Sequence, residues 1–326
     1  MPLEQNPLTG ELFLRLPPPH TDIIITPARL APQPYPYPAE QDKSKSSEAD
    51  QHGHNHDHDG DGNEDDDETI ITTALNDPRV YPFLESPPFP YRRENAVDYV
   101  WKVDAECRQI LSSPELQRQI QRQLQIQRER QDQGDHAQGQ DPCEGGQAAS
   151  SFADGCPFRF IRKVVVPATT SSTSTGKSDD GVKEPTKEVL IGDIILRRYP
   201  FYEIPPDRSE ERDRAREKNE ALPAGHPDLI WGVGFWLLPT YHGRGIMTSV
   251  LRTIITDWAI PWMNVSVLKA SAFVGNDRSV AVFTKNGFVL ERTVEKGSAV
   301  LHEAKGGGRK DIVVLRWNRS GAKERE

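Results

Sequence analysis

Apolar positions are spread unevenly along the 326 residues, and the most regular patterning falls in the last hundred. Ile230-Trp231-Gly232-Val233-Gly234-Phe235-Trp236-Leu237-Leu238 is an apolar, aromatic-rich run between Asp228 and Pro239, which predicts a buried strand. The glycine-rich turn Tyr241-His242-Gly243-Arg244-Gly245-Ile246 follows at once. Beyond it, Met247, Val250, Leu251, Ile254, Ile255 and Trp258 recur at the spacing of one helix face, which predicts an amphipathic helix ending before Pro261. The unit is strand, glycine turn, helix.

Weaker patterns fill in the rest of the chain. Glu11 to Leu16 and Asp22 to Thr26 are short strand-like runs separated by Pro17-Pro18-Pro19, and the second, closed by Pro27, is expected at a sheet edge. Thr69 to Leu75 and Val80-Tyr81-Pro82-Phe83-Leu84 read as two short helices across a turn, and Arg92 to Leu111 as a longer one. Within Pro114 to Gln133 only Leu116, Ile120, Leu124 and Ile126 are apolar, so this stretch is expected as a solvated helix or an extension of the one before. Phe158 to Val166 and Glu188 to Arg198 read as a strand pair, and Val265 to Val274 as a further strand. Asn276-Asp277-Arg278-Ser279 supplies caps to a short helix, Ser279 to Lys285, which Asn286-Gly287 stops. Phe288 to Glu295 and Asp311 to Trp317 make a closing strand pair joined through Gly306-Gly307-Gly308. The order predicts a mixed α/β (α+β) single domain with loop insertions.

The polar stretches set the layout. A segment over 1–20 precedes a domain over 22–318, interrupted at about 32–68, 113–156, 167–187 and 205–228 and followed by a tail over 319–326. The first interruption is linker-like in its Pro, Ser, His and Asp content. Asp57, Asp59, Asp61, Gly62 and Glu68 have calcium-loop spacing, but Glu64 stands where a β-branched apolar residue belongs and no helix precedes, so the tract reads as low complexity. The alternating His52, His54, His56 and His58 read the same way. Ala168 to Lys187 is a Ser/Thr-rich loop, and Asp207 to Glu220 alternates charge at helical spacing and is expected in solvent.

The formal charge of −9 is concentrated, since Asp57 to Glu68 is acidic throughout its charged positions; the remainder is close to neutral, which argues against a nucleic-acid surface built on net charge. Cys107, Cys143 and Cys156 lack zinc-type spacing and suit a reducing compartment. Met1 to Gly10 is unlike a signal peptide, and no apolar run approaches the roughly 18 residues of a membrane span. A soluble, intracellular, cytoplasmic protein is expected, with oligomeric state left open.

The glycine turn carries the first chemical signal. A helix start leaves backbone N–H groups unpaired at the positive end of the dipole, so it suits an anion such as a pyrophosphate. Gly243 and Gly245 allow positive φ and close approach, and Arg244 between them is a phosphate-seeking fork. No Gly-Lys-Ser/Thr follows, so the turn is not a Walker loop, and the third glycine of a dinucleotide fingerprint is missing.

Three linked pieces then resemble the GNAT superfamily of acyl-CoA-dependent N-acetyltransferases, in the branch of the ribosomal-protein N-terminal acetyltransferases. They are Leu237 to Trp258, the Asn276-x-x-Ser279 segment, and Lys285-Asn286-Gly287-Phe288-x-x-Glu291. Looser matches are Ala74 to Leu84 and Leu190-Ile191-Gly192-Asp193-Ile194. The resemblance implies a central, mostly antiparallel twisted sheet flanked by helices, with acetyl-CoA as cosubstrate and a primary amine, of a protein N-terminus or a small molecule, as acceptor. The family loop, Gln/Arg-x-x-Gly-x-Gly/Ala, falls on His242-Gly243-Arg244-Gly245-Ile246-Met247, where Gly245 matches while His242 and Met247 depart.

The implied cofactor surface is Leu237, Leu238, His242, Gly243, Arg244, Gly245, Ile246, Met247 and Thr248, with Asn276 at the cofactor arm and Lys285 near the CoA end of the last helix. The tyrosine that many members use as general acid corresponds to Phe283, which cannot donate; the ribosomal-protein branch points instead to Ser279, whose other role is helix capping. Asp193, Glu203 and His302 are candidates for a base that stays unassigned. No nucleic-acid or membrane partner is expected. The alternative reading is a non-catalytic acyl-CoA-binding or scaffold protein on the same fold.

Overall fold

The computed structural model of the chain describes residues 3–30, 66–132, 152–165 and 187–319. The His-rich tract, most of the calcium-like tract and the Ser/Thr-rich loop short of Lys187 lie outside them. Among the described residues nine strands form one sheet: β1 (Glu4–Gln5), β2 (Leu12–Arg15), β3 (Ile23–Thr26), β4 (Phe160–Val165), β5 (Lys187–Arg198), β6 (Ile230–Leu237), β7 (Val267–Phe273), β8 (Val289–Val294) and β9 (Ile312–Asn318). Their spatial order is β1-β2-β3-β4-β5-β6-β7-β9-β8, and every neighbouring pair is antiparallel except β6 and β7. The mixed α/β class with a mostly antiparallel sheet is therefore the observed one.

Strand alternation sorts the core into layers. Successive side chains of a strand point to opposite faces. Phe160, Leu190 and Trp236 accordingly pack with helices α1 (Asp67–Asn76) and α2 (Arg93–Leu111). Their chain neighbours Ile161, Ile191 and Leu237 pack on the other face with α3 (Pro114–Asp132) and α5 (Ile246–Thr253). The lower edge strand β8 is exposed at all but its last position and carries Glu291 and Arg292, charges that blunt an open edge.

Helix α1 starts where the acidic tract ends. Asp66 caps it by accepting the Thr69 N–H at 2.6 Å, and the Asp67 carboxylate pairs with Arg162 of β4, whose side chain is 4% exposed. The last acids of a tract read as linker thus anchor the first helix to the sheet. Helix α4 (Ser209–Glu220) is the charge-alternating segment and is mostly exposed, as expected, with Asn219 buried against Ile230.

Three expectations need correction. The strand at Asp22 to Thr26 is not an edge, because β3 is paired on both sides, by β2 and β4; the three-proline run is spanned by a turn, and β1, beyond β2, takes the outer place. Helix α3 is not simply solvated. Leu116, Ile120 and Leu124 recur at helical spacing and are 1, 2 and 5% exposed in the main core, whereas Ile126 lies outside that stripe and is exposed. The helix after the glycine turn does not end before Pro261. It continues from α5 through a π turn at Ile254–Ala259 into α6 (Ile260–Met263), with the Ile260 N–H reaching back to the Ile255 carbonyl. Pro261 sits in the first turn after the widening, where its missing N–H is least costly. Among the described residues no helix is long and apolar enough to cross a membrane.

Candidate active site

The parallel pair β6 and β7 is hydrogen-bonded only from Ile230–Val267 to Val233–Ala270. Beyond that, β6 continues to Leu237 on β5, and β7 continues to Phe273 on β9. Two strands committed to different neighbours must part, and a cleft of about 160 Å³ opens in the wedge between them. Gly234 and Phe235 line one wall, Ser271, Asn276 and Ser279 the other, and Phe283 its floor; Leu84, Glu85 and Ser86 approach from the connection between α1 and α2.

The glycine turn follows the end of β6. His242 Nε2 lies 2.7 Å from the Leu237 carbonyl, an acceptor, so that nitrogen carries the proton and the ring ties the turn to the strand. Gly243 and Gly245 have φ of 74° and 79°. A Cβ at Gly243 would meet nothing within 4 Å, and one at Gly245 only His20 Nε2 at 3.8 Å, so conformation rather than crowding requires glycine here. The Arg244 guanidinium is exposed and lies 5.6 Å over the Tyr241 ring. Helix α5 has Gly245 as its N-cap without a side-chain cap, and the Ser249 N–H is bonded to the Gly245 carbonyl. The N–H groups of Ile246, Met247 and Thr248 are those that a helix leaves open. Ile246 and Met247 turn their side chains into the core at 4 and 6% exposure, so what they offer a ligand is backbone. Leu238 differs, because its N–H is spent on the Ile191 carbonyl.

Across the cleft, α7 (Asp277–Thr284) starts on Asn276, whose Oδ1 accepts the Ser279 N–H at 3.3 Å. Asn276, not Ser279, is the cap, which leaves the Ser279 hydroxyl free to face the cleft. Phe283 is 2% exposed and its ring centroid lies 5.1 Å from Phe235 and 5.2 Å from Phe288. Asn286 joins α7 to α5 through the Thr248 carbonyl at 3.2 Å, and Lys285 is exposed at the far end of α7. The turn and the Asn276–Ser279 segment thus follow the C-terminal ends of the two strands that part, with Lys285 outside the cleft.

The three base candidates separate. Asp193 is buried with Arg159 and the Tyr99 hydroxyl, away from the cleft lining, and burial followed by the Asp193 charge holds the Tyr99 phenol far above its usual range. His302 is exposed and accepts the Ala304 N–H at 3.2 Å, capping a short turn. Glu203 alone of the three pairs with a residue that lines the cleft, Lys269.

Lys269 was not singled out by sequence. It sits mid-β7 at 3% exposure, lines the cleft, and pairs with Glu203 and with Glu291 at 2.9 Å. The Tyr199 ring lies under its ammonium at 5.5 Å. Burial, then the Glu203 charge, pushes the Tyr199 phenol far up; its hydroxyl and Glu203 Oε2 are both buried without a hydrogen bond of normal geometry. The turn that delivers Tyr202 and Glu203 holds Phe201 at a φ of 58°, an uncommon conformation for a non-glycine residue. The available signal was a lone lysine inside Val267-Leu268-Lys269-Ala270-Ser271-Ala272-Phe273, a charge in an otherwise small and apolar strand. Among the described residues no group of three metal-ligating side chains comes together.

Residues 184–289, roughly a third of the chain, match the family model of the acetyltransferase (GNAT) domain. No curated protein matches the sequence. Among solved structures, a probable acetyltransferase is similar at 21% identity over 41% of this chain and 60% of its own, with a TM-score of 0.28. The microcin C7 self-immunity acetyltransferase, solved with acetyl-CoA and AMP, is 13% identical over 77% of this chain and 86% of its own, at 0.39. The ribosomal-protein-S5-alanine acetyltransferase from Vibrio fischeri is 16% identical over 79% and 90%, at 0.37. This chain spans less than two thirds of the first of these, and likenesses at such values carry no argument about activity.

Proposed function

We propose that this chain, which carries a GNAT acetyltransferase domain over residues 184–289, is an acetyl-CoA-dependent N-acetyltransferase acting on a primary amine. The single observation that carries the reading is the parted β6/β7 pair, with an uncapped helix start beyond the end of one strand and a polar, half-buried serine on the wall of the cleft between them.

The pyrophosphate of the cosubstrate lies on the open N–H groups at the start of α5, with Arg244 above it. Its arm follows the free edge of β6 into the cleft, so that the thioester reaches Ser279. The acceptor amine enters from the Lys269 side and, once deprotonated, attacks the carbonyl carbon; the C–N bond forms as the C–S bond breaks, the Ser279 hydroxyl protonates the leaving thiolate, and the proton shed by the acylated nitrogen restores the serine. The ammonium proton leaves toward the Lys269–Glu203–Glu291 cluster, where Glu203 Oε2 is buried beside the Lys269 ion pair without a hydrogen bond of normal geometry. The acceptor is a protein N-terminus or a small-molecule amine.

Phe283 favours a second reading, an acyl-CoA-binding protein without turnover, since an apolar ring locked between two phenylalanines occupies the position of the usual acid. Calorimetric titration with acetyl-CoA, followed by thiol release with a mixed amine and peptide panel, separates the two. The enzyme gives binding and release; binding without release with any acceptor supports the second reading. Gly245→Glu places a bulky like charge where phosphate belongs and forces a side chain into positive φ, so acetyl-CoA affinity should fall by at least about a hundredfold. Unchanged affinity would refute the placement of the loop.

A further inference from the structure

The cleft does not end at Lys269. A second cavity adjoins it and shares Glu85, Ser86 and Tyr202 with it, so the two form one trough leading from the strand wedge to helix α4 and the connection between β8 and β9. A small amine would fill only the inner part. The outer part is walled by Arg212, Asp213 and Arg216 of α4 and by Val300 and Arg309 opposite.

The charges there are not balanced. Asp213 is held by Arg216 at 3.3 Å, and the Glu85 carboxylate takes the Ala299 N–H and keeps its charge, so three guanidiniums, of Arg212, Arg216 and Arg309, stand against two carboxylates. Arg212 donates to the Ile204 carbonyl at 2.8 Å and lies 6.0 Å over the Tyr202 ring, while Arg309 donates to the Ser298 carbonyl. Carbonyl oxygens satisfy guanidinium donors without cancelling their charge. Among the described residues neither Arg212 nor Arg309 has a carboxylate within ion-pair distance, although each faces the trough.

We infer that the acceptor is the N-terminal segment of a polypeptide that carries carboxylate side chains downstream of its reactive amine, and that Arg212 and Arg309 read those carboxylates. This rests on the acetyltransferase reading and narrows its substrate class. An extended chain rises about 3.3 Å per residue, so a peptide with its amine at Ser279 runs its following residues along the trough toward α4. A guanidinium fork matched to a carboxylate supplies both charge and geometry.

The test uses the full chain, acetyl-CoA and three peptides of one length and one N-terminal residue, with alanine, glutamate or lysine at the following positions. Thiol release should give a KM about fivefold lower for the glutamate peptide than for the alanine peptide, and the difference should shrink as salt is raised. The double variant Arg212→Gln/Arg309→Gln keeps donors for both backbone carbonyls while removing both charges. It should raise the KM of the glutamate peptide alone, with kcat and the alanine peptide unchanged. Thiol release that ignores peptide charge, or a double variant that weakens all three peptides equally, overturns the trough assignment and leaves the acetyltransferase reading standing. No release with any peptide or small amine overturns both.

Discussion

Ser279 is the residue whose role the surrounding hydrogen bonds narrow most. A serine near a helix start usually caps it, and here that task belongs to Asn276, which accepts the Ser279 N–H. Ser279→Ala should therefore leave stability within about 0.5 kcal/mol while kcat falls about a hundredfold, because a general acid contributes roughly that much. Asn276→Ala should instead cost about 1 kcal/mol of stability through the lost cap. Urea unfolding beside steady-state kinetics checks both, and a Ser279→Ala protein as destabilised as the Asn276 variant would return the serine to a structural role. Gly243 and Gly245 were legible from sequence because positive φ at a strand-to-helix turn has few residue solutions. Glu203 and Lys269 were not legible as a pair. They are 66 residues apart, and only the parallel pairing of β6 with β7 brings the second strand beside the turn that carries the first.

At the scale of elements, periodicity was informative wherever one face is buried and the other is wet. Helix α3 marks the limit of composition as a guide. Gln and Arg dominate it, yet four apolar residues suffice when three of them share a stripe that meets the core. Ile120→Ala should cost about 2–4 kcal/mol, the usual range for a fully buried aliphatic side chain, whereas Gln121→Ala on its exposed side should stay within about 0.5 kcal/mol. Equal small effects in denaturant melts would detach α3 from the core. The π turn in the long helix had no periodic signal. It keeps Trp258 fully buried, edge-on to Phe158 at 4.9 Å and stacked on Trp262 at 5.4 Å, with its indole N–H on the Gly155 carbonyl. That arrangement depends on a segment about a hundred residues earlier in the chain.

The whole molecule responds to pH through its buried acids. Burial raises the Cys107 thiol to about 11 and Cys156 and the Tyr91 phenol to about 12, and it pushes the Tyr99 and Tyr199 phenols well above their usual range. In an unfolded chain thiols and phenols ionise near 8.5 and 10. Above those values the unfolded chain has lost protons that the folded chain keeps, so it binds fewer protons and stability falls as pH rises. Unfolding free energy should be level up to about pH 8 and should decline through pH 9 to 11, and urea titrations at pH 7.5, 9 and 10.5 measure it. A flat profile across that range would show these groups to be exposed to solvent.

What the sequence determined alone was local: the strand, glycine turn and helix, the caps of α7, the closing strand pair, and through them the α/β class. Each of these follows from side-chain spacing and backbone freedom within about thirty residues. Tertiary structure decided where strands part. The wedge between β6 and β7 exists because β5 holds one strand and β9 the other, and β9 reaches β7 only after α7 and β8 have intervened in the chain. It also decided which charges are buried together at Lys269 and which are left uncompensated at Arg212 and Arg309, since burial and ion pairing are set by neighbours in space and have no periodic trace along the chain.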